Sequence, residues 1–167
     1  MENSTLFEDK SDLYASARHL YPPELFKYIS TIVRGNKNAW DCATGSGQAA
    51  VGLSPFFDRV EATDISNNQI SNAFDRKNIK YSVQPAEETN FKNQQFDLVN
   101  VAQALHWFDF STFWNEVQRV LKPNGLFITY SYSWSTISEK IDEIWGSPEE
   151  KKKRITPLNV IAGYNWK

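Results

Sequence analysis

Apolar residues along the chain follow two spacings, one typical of helices and one typical of strands. Between Pro22 and Val33 they recur every three to four residues, which predicts an amphipathic helix that begins at the prolines and ends before Gly35. A shorter helical pattern over residues 13–20 follows a polar lead-in at 1–12. From residue 39 onward, short apolar runs alternate with helical segments, and this alternation predicts strands that alternate with helices.

Short apolar runs predict five strands in the middle of the chain. A strand and turn cover residues 39–47, and further strands cover 59–63, 79–84, 96–101 and 126–132. Helices are predicted at 48–54, 67–77 and 110–121, with a turn at 122–125 before the last strand. Strands that alternate with helices predict a parallel sheet with helices on both faces. The predicted fold is therefore α/β, with a Rossmann-like, doubly wound, mostly parallel sheet.

A cluster of small residues between the first strand and its helix predicts a ligand site. Gly45 and Gly47 allow a tight turn and a close approach of a ligand to the backbone, and the following helix presents unpaired N–H groups. Asp64 follows about twenty residues later, at the end of the next strand, where a carboxylate can accept hydrogen bonds from ribose hydroxyls. This arrangement predicts a nucleotide-type site at the carboxyl ends of the strands.

Composition and charge exclude several classes of protein. The chain has 167 residues, which suits one domain, and its hydrophobic content of 41% excludes a disordered chain. A net charge of −2 predicts no nucleic-acid partner, and the acidic-then-basic stretch at 149–154 is typical of a solvated helix face. Cys42 is the single cysteine, so no internal disulfide or cysteine-built zinc cage is expected. With no apolar run long enough for a membrane and a polar N-terminus, we expect a cytoplasmic protein.

Motifs over residues 7–135 resemble those of the class I S-adenosylmethionine-dependent methyltransferases. Residues 41–48 resemble the first motif of that family, 64–66 its acidic ribose-binding position, and 85–87 the loop after its third strand. Residues 96–108 resemble its fourth strand and following loop, and 121–126 its signature turn into strand five. The variant at 104–108, together with the N-terminal helix, is most similar to the small-molecule branch that includes trans-aconitate methyltransferase-like proteins.

The resemblance implies S-adenosylmethionine as cofactor, S-adenosylhomocysteine as product, a small-molecule methyl acceptor and no metal. In that family Asp41 would order the turn, Asp64 would hold the ribose, and the segments at 86–87 and 102–103 would approach the adenine and the sulfonium. The N-terminal helix would close over the cofactor. The implied cofactor-binding residues are Tyr14, Arg18, Asp41, Ala43, Gly45, Gly47, Asp64, Ile65, Ala86, Glu87, Ala102 and Gln103.

Two positions leave alternatives open. Ala43 stands where the family most often has a glycine, and an alanine can serve there if its φ is negative. His106 is the candidate catalytic base for a hydroxyl or thiol acceptor, since imidazole exchanges protons near neutral pH; a carboxylate acceptor needs no base. The alternative, which the absence of a visible acid–base partner in the sequence favours, is that His106 is a histidine of the loop or pocket wall. Trp107 and Phe108 are interpreted as pocket lining or core.

The C-terminal segment raises a different question. We interpret the chain as one domain, with N-terminal helices at 1–34, a cofactor-binding core at 35–135 and a shortened segment at 136–167. The family fold ends in a two-strand hairpin beside strand five. Only 32 residues follow Ser135, which is too short a segment for a helix and a full hairpin. One strand near 158–164 fits after a helix at about 137–145. We expect residues 156–166 to pair with strand five or to leave its edge open for a homodimer.

Two other functions remain alternatives to methyl transfer. One is a non-catalytic or truncated S-adenosylmethionine-binding protein, suggested by the short C-terminal segment. The other is an NAD-dependent oxidoreductase, because a glycine turn and an acidic residue also suit a dinucleotide. Ala49 and Ala50 stand where the third glycine of a dinucleotide site is expected, and the turn at 121–125 has no role in that interpretation.

Overall fold

A computed structural model describes residues 21–131 and the backbone of residues 161 and 162. The helices in this part are α1 (Pro23–Ile32), α2 (Gln48–Leu53), α3 (Asn67–Ser71) and α4 (Phe110–Val120), with 3-10 turns at Ser54–Phe56 and Leu105–Trp107. The strands are β1 (Asn38–Cys42), β2 (Arg59–Asp64), β3 (Ile79–Val83), β4 (Phe96–Ala102), β5 (Leu121–Tyr130) and β6 (Ile161–Ala162). No helix within these described residues has the length and apolar character needed to cross a bilayer.

The strands form one sheet in the order β3-β2-β1-β4-β5-β6. Strands β1 to β5 are parallel, and β6 runs antiparallel to β5. The predicted α/β, doubly wound fold is confirmed. Because the chain proceeds outward from β1 on one side and then crosses to β4 on the other, the strand order reverses beside β1. In parallel sheets, ligands bind at the carboxyl ends of the strands at this kind of reversal.

Two apolar clusters cover the two faces of the sheet. Successive strand residues point to opposite faces, so Ala39 joins one cluster and Trp40 joins the other. The first cluster contains the buried face of α1 and most of α2, and the second contains the buried face of α4. Cys42 lies fully buried in the second cluster, and burial raises the pKa of its thiol well above the ordinary value. Burial and a raised pKa make it a core residue whose thiol is a poor nucleophile.

The prediction of a helix over 67–77 is wrong in its length, because α3 ends at Ser71. Ser66 caps the helix, with its side chain accepting a hydrogen bond from the Gln69 N–H. After α3 the chain bonds to other elements. The Phe74 N–H donates to the Ser46 carbonyl at 3.2 Å, and the Phe74 carbonyl accepts from the Tyr81 hydroxyl at 2.9 Å. These bonds hold residues 72–77 against the turn after β1 and against β3.

The predicted turn at 122–125 is an irregularity at the start of β5. Leu121 pairs with Phe96, and Leu126 pairs with Leu98, so the intervening residues have no ladder partner. The Lys122 ammonium donates to both carboxylate oxygens of Asp97 at 2.9 Å, which holds this bulge against the start of β4. The turn chemistry was therefore predicted correctly, but the structure includes it within the strand.

The predicted pairing of residues 156–166 with strand five is confirmed for two residues. Ile161 and Ala162 pair antiparallel with Thr129 and Ile128 near the end of β5. The helices predicted at 13–20 and 137–145, the charged stretch at 149–154, and the predicted site residues Tyr14 and Arg18 lie outside the described residues.

Candidate cofactor-binding site

The turn after β1 has an unusual backbone conformation. Ala43, Gly45 and Gly47 have φ values of 53°, 58° and 93°, so three of its residues lie in the region that favours glycine. The turn is held from below by the Thr44 N–H, which donates to the Thr63 carbonyl at 2.8 Å, and internally by the Gly47 N–H, which donates to the Thr44 carbonyl. Gly47 is the N-cap residue of α2. The turn thus bends sharply between the ends of β1 and α2.

Asp64 lies directly against this turn. One of its carboxylate oxygens accepts a hydrogen bond from the Gly45 N–H at 2.8 Å, and the other accepts from the Ser66 N–H at 2.9 Å. The second bond is a local turn of the kind aspartate commonly makes two residues ahead. The first joins residues 19 positions apart, so the carboxylate connects the loops after β1 and β2. Ser66, and not Asp64, caps α3.

Asp41 is buried beneath the turn in a polar cluster. The Thr44 hydroxyl donates to one oxygen of its carboxylate, and the Asn100 amide donates to the other at 2.7 Å. The same amide nitrogen lies 3.4 Å from the Tyr130 hydroxyl. Burial raises the pKa of Asp41 to about 6, although the hydrogen bonds from Thr44 and Asn100 act in the opposite direction. A carboxyl group in this position joins the turn to β4 and, through Asn100, to β5.

Sequence reasoning missed Thr44, Asn100 and Tyr130 as members of this cluster. Asn100 interrupts the apolar run from Leu98 to Ala102 in a central strand, and a buried polar residue there requires hydrogen-bond partners. That interruption was the available signal. Its meaning depended on the register of β4 beside β1, in which Asn100 lies opposite Asp41.

Replacing Asp41 by asparagine tests the effect of burial on this carboxyl group. Because the native state holds the proton more tightly between pH 3.8 and about 6, the stability of the wild type falls as the pH rises through that window. Relative to Asp41→Asn, we expect the free energy of unfolding to fall by on the order of 3 kcal/mol from acid to neutral pH. Denaturant unfolding at a series of pH values measures it. Asp58→Asn, at an exposed aspartate, is the control. If the free energy of unfolding of the wild type, relative to that of Asp41→Asn, rises with pH, the raised pKa of Asp41 is contradicted.

Ala43 does not have the negative φ that its alanine was expected to need. Its φ of 53° costs an L-residue roughly 1–2 kcal/mol, whereas glycine adopts it freely at an entropic cost of about 0.5–1 kcal/mol. We therefore expect Ala43→Gly to stabilise the protein by up to about 1 kcal/mol in urea unfolding. Ala49→Gly, in α2, is the matched control and should destabilise by about 1 kcal/mol. Loss of stability in both variants would show that φ at residue 43 carries no strain.

The loops after β3 and β4 complete the same edge of the sheet. Ala86 is buried, and the Glu87 carboxylate accepts a hydrogen bond from the Asp109 N–H at 3.2 Å. Gln103 has a φ of 64°, and its N–H donates to the Tyr130 carbonyl at 2.9 Å. Its side-chain nitrogen is buried without a hydrogen-bond partner among the described residues. Ile65, beside Asp64, is 75% exposed.

His106 and Trp107 lie at the exposed rim of this edge. They occupy the 3-10 turn after β4, with their ring centroids 4.7 Å apart, and Trp107 is 56% exposed. No carboxylate contacts His106 in the described part of the chain, so its role as a base stays a prediction. Phe108 instead packs on Phe113, with ring centroids 4.6 Å apart, which places it against the core, one of its two predicted positions.

Comparisons with known proteins agree with this geometry. Residues 40–129 match the model of the methyltransferase domain family. A protein of Dictyostelium discoideum named as a methyltransferase is 36% identical over 143 residues, which are 83% of this chain and 54% of that relative. The yeast protein CRG1 of Saccharomyces cerevisiae, named as an S-adenosylmethionine-dependent methyltransferase, is 27% identical over 129 residues, covering 71% of this chain and 44% of CRG1.

A solved structure extends the match to three dimensions. A protein of Anaeromyxobacter dehalogenans described as a type II methyltransferase superimposes with a TM-score of 0.70 at 37% identity, covering 77% of this chain and 55% of that one. The chain thus spans about half the length of these relatives. The trans-aconitate branch stays a prediction. Because the family match covers more than half of the chain and the sheet has the corresponding topology, the chain belongs to the class I S-adenosylmethionine-dependent methyltransferases.

Proposed function

We propose that this chain binds S-adenosylmethionine at the carboxyl ends of β1, β2 and β4 and transfers its methyl group to a small-molecule acceptor. The observation that carries the proposal is the 2.8 Å hydrogen bond between the Gly45 N–H and the Asp64 carboxylate. This bond connects two parts of the proposed site. One is a turn whose backbone a ligand can approach closely, and the other is a carboxylate that suits ribose hydroxyls. Family membership supports the same cofactor.

The residues at this edge fit the chemistry of the cofactor. The Asp64 carboxylate accepts two backbone hydrogen bonds and has lone pairs left for ribose hydroxyls. The buried Gln103 amide, a donor without a partner among the described residues, suits an acceptor oxygen such as the carboxylate of the methionine part. The exposed apolar side chain of Ile65 suits the face of the adenine ring. These three groups would hold different parts of one molecule.

The chain's own contribution to the reaction would be to orient the cofactor and the acceptor toward each other. When bound, S-adenosylmethionine supplies a methyl group on a positively charged sulfur, and the transfer is an in-line displacement. A carboxylate acceptor would need no base. For a hydroxyl or thiol acceptor, His106 at the rim is the candidate group to take the proton. Trp107, beside it, offers an aromatic face that attracts a cation or packs on an apolar acceptor.

The proposal also includes an oligomeric state and a cellular location. A homodimer through the β5 edge and a cytoplasmic location stay predictions, and size-exclusion chromatography with light scattering tests the first. Strand β6 already pairs with Ile128 and Thr129 near the end of β5. A second copy would therefore pair with the part of β5 that precedes Ile128. No nucleic-acid partner is proposed.

Calorimetric titration with S-adenosylhomocysteine, beside NAD, tests the proposed cofactor. We expect one site with a Kd in the micromolar range, a binding free energy of about −8 kcal/mol, and no heat with NAD. Binding of NAD alone would favour the oxidoreductase alternative. Transfer of labelled methyl from S-adenosylmethionine to a metabolite library then tests activity. Cofactor binding with no acceptor methylated, under conditions where a known methyltransferase succeeds, would favour the non-catalytic binding protein.

A further inference from the structure

The loop between β3 and β4, residues 84–95, has no regular secondary structure, yet it contributes to the proposed site through Ala86 and Glu87. Long irregular loops in compact domains are usually functional, and a binding loop needs something rigid to hold it. Here α4 is that rigid element. Its buried face, formed by Phe113, Val117 and Val120, packs into the second apolar cluster.

Glu116 points from the buried side of α4 into this loop. One carboxylate oxygen accepts hydrogen bonds from both the backbone N–H, at 2.9 Å, and the hydroxyl of Thr89. Its side chain is 7% exposed. Burial by itself raises the pKa of Glu116, but the bonds from Arg119 and Thr89 outweigh it and keep that pKa below its ordinary value. The carboxylate is therefore ionised and fully bonded at neutral pH.

Arg119 extends the connection along the loop. Its guanidinium donates to both carboxylate oxygens of Glu116, at 2.6 and 2.7 Å, in a bidentate ion pair. The remaining N–H groups donate to the backbone carbonyls of Phe91, at 2.6 Å, and Thr89, at 3.2 Å, and to the Asn93 side chain at 3.0 Å. A planar group with five donors can make this set of bonds, and an ammonium cannot.

The loop is thus attached to both ends of α4. Glu87 accepts a hydrogen bond from Asp109 at the start of the helix, and the residues from Thr89 to Asn93 bond to the pair in its last turn. An ion pair that served only the stability of α4 would need no bonds to the loop backbone. These bonds act on the residues that follow Ala86 and Glu87 directly.

We propose that Glu116 and Arg119 are positioning residues that hold the 84–95 loop in the conformation needed to recognise the adenine base of the cofactor. This inference rests on the proposed function, because the base belongs to S-adenosylmethionine. Hydrogen bonds from loop backbone to an adenine edge require placement within a fraction of an ångström. The pair therefore determines selectivity for the base, and leaves the contacts to ribose and methionine to other loops.

The test uses the full chain and two variants of the pair. Glu116→Gln keeps the shape of the side chain but turns a donor toward Arg119, and Arg119→Lys keeps the charge but loses the fork. Glu61→Gln is the matched control, because Glu61 is also a buried glutamate paired with an arginine, Arg59, at 2.7 Å on β2. Hydrogen–deuterium exchange of the Thr89 amide and titration with S-adenosylhomocysteine and S-inosylhomocysteine provide the two readouts.

We expect faster exchange at Thr89 in both variants and unchanged exchange in the control. The affinity for S-adenosylhomocysteine should fall about tenfold. The inosine analogue, which reverses the donor and acceptor at the base edge, should lose much less, so the ratio of the two Kd values moves toward one. Glu61→Gln should leave that ratio unchanged even if it lowers the unfolding midpoint.

Three results would overturn parts of this inference in distinguishable ways. Unchanged exchange at Thr89 in both variants would refute the positioning of the loop. Faster exchange with an unchanged ratio of Kd values would refute the role in base recognition. If the wild-type chain binds neither nucleoside ligand, the proposed function and base recognition both fail, whereas the exchange data still decide whether the pair holds the loop.

Discussion

Gly47→Ala is expected to abolish measurable binding of S-adenosylhomocysteine and to destabilise the protein by about 2–5 kcal/mol. Gly47 has a φ of 93°, which strains any L-residue. A Cβ at this position would also lie 2.2 Å from the Tyr81 hydroxyl oxygen and 2.9 Å from the ring carbon that carries it. Either the turn or β3 must move, and the turn is the part of the proposed site that approaches the cofactor. Urea unfolding and calorimetric titration measure the two effects.

Two controls separate the causes. Gly35→Ala places a Cβ 2.3 Å from an Asp97 carboxylate oxygen before β1, away from the site, so it should destabilise the fold and leave the Kd unchanged. Introducing Gly47→Ala into a Tyr81→Phe background removes the nearest clashing atom, and any loss of stability that remains reflects the positive φ and the ring carbons. A Gly47→Ala protein with wild-type stability and affinity would refute the close contact with Tyr81.

Asp64→Ala is expected to weaken the binding of S-adenosylhomocysteine by about 100-fold or more, since two hydrogen bonds between a carboxylate and ribose hydroxyls are each worth roughly 1.5–3 kcal/mol. The substitution also removes the acceptor for the Gly45 N–H, so it loosens the turn itself. We expect a small change in the unfolding midpoint, because both backbone donors lie in half-buried positions that water can reach. Titration of the variant at the wild-type protein concentration measures the loss.

Two further substitutions identify what the carboxylate contributes. Asp58→Ala removes an exposed aspartate just before the opposite end of β2 and should bind as the wild type does. Asp64→Asn keeps one acceptor oxygen without the charge and should lie between the wild type and Asp64→Ala. If Asp64→Ala binds S-adenosylhomocysteine normally, the carboxylate does not hold the ribose, and its bonds to Gly45 and Ser66 are structural only.

Local pattern predicted the strands well and the ends of some helices poorly. Each parallel strand is a short apolar run that must be buried on both faces, and such runs are visible without knowing any partner. The end of α3 was different. Nothing between Asn72 and Lys77 stops a helix strongly, and the bonds of Phe74 to Ser46 and Tyr81 compete with the helix only after the sheet has formed.

The candidate site was predictable to the level of its loops. Turn residues such as Gly45 and Gly47 mark themselves by composition, and an acid at the end of the next strand belongs to the same edge by topology alone. Which groups touch within that edge was not predictable. Asn100 contacts Asp41 because β4 lies beside β1 in one particular register, and the positive φ of Ala43 is a property of the folded turn that its residue type does not indicate.

The sequence by itself determined the fold class, the order of the strands along the chain and the edge of the sheet proposed for the cofactor, because these depend on hydrophobic period and turn chemistry, which are local properties. Only the tertiary structure decided the order of strands in the sheet, the burial that raises the pKa of Asp41, and the attachment of the 84–95 loop to Glu116 and Arg119. These features depend on contacts between residues that are distant in the chain. Such hydrogen bonds and ion pairs form only after packing has excluded water and aligned the donors with the acceptors.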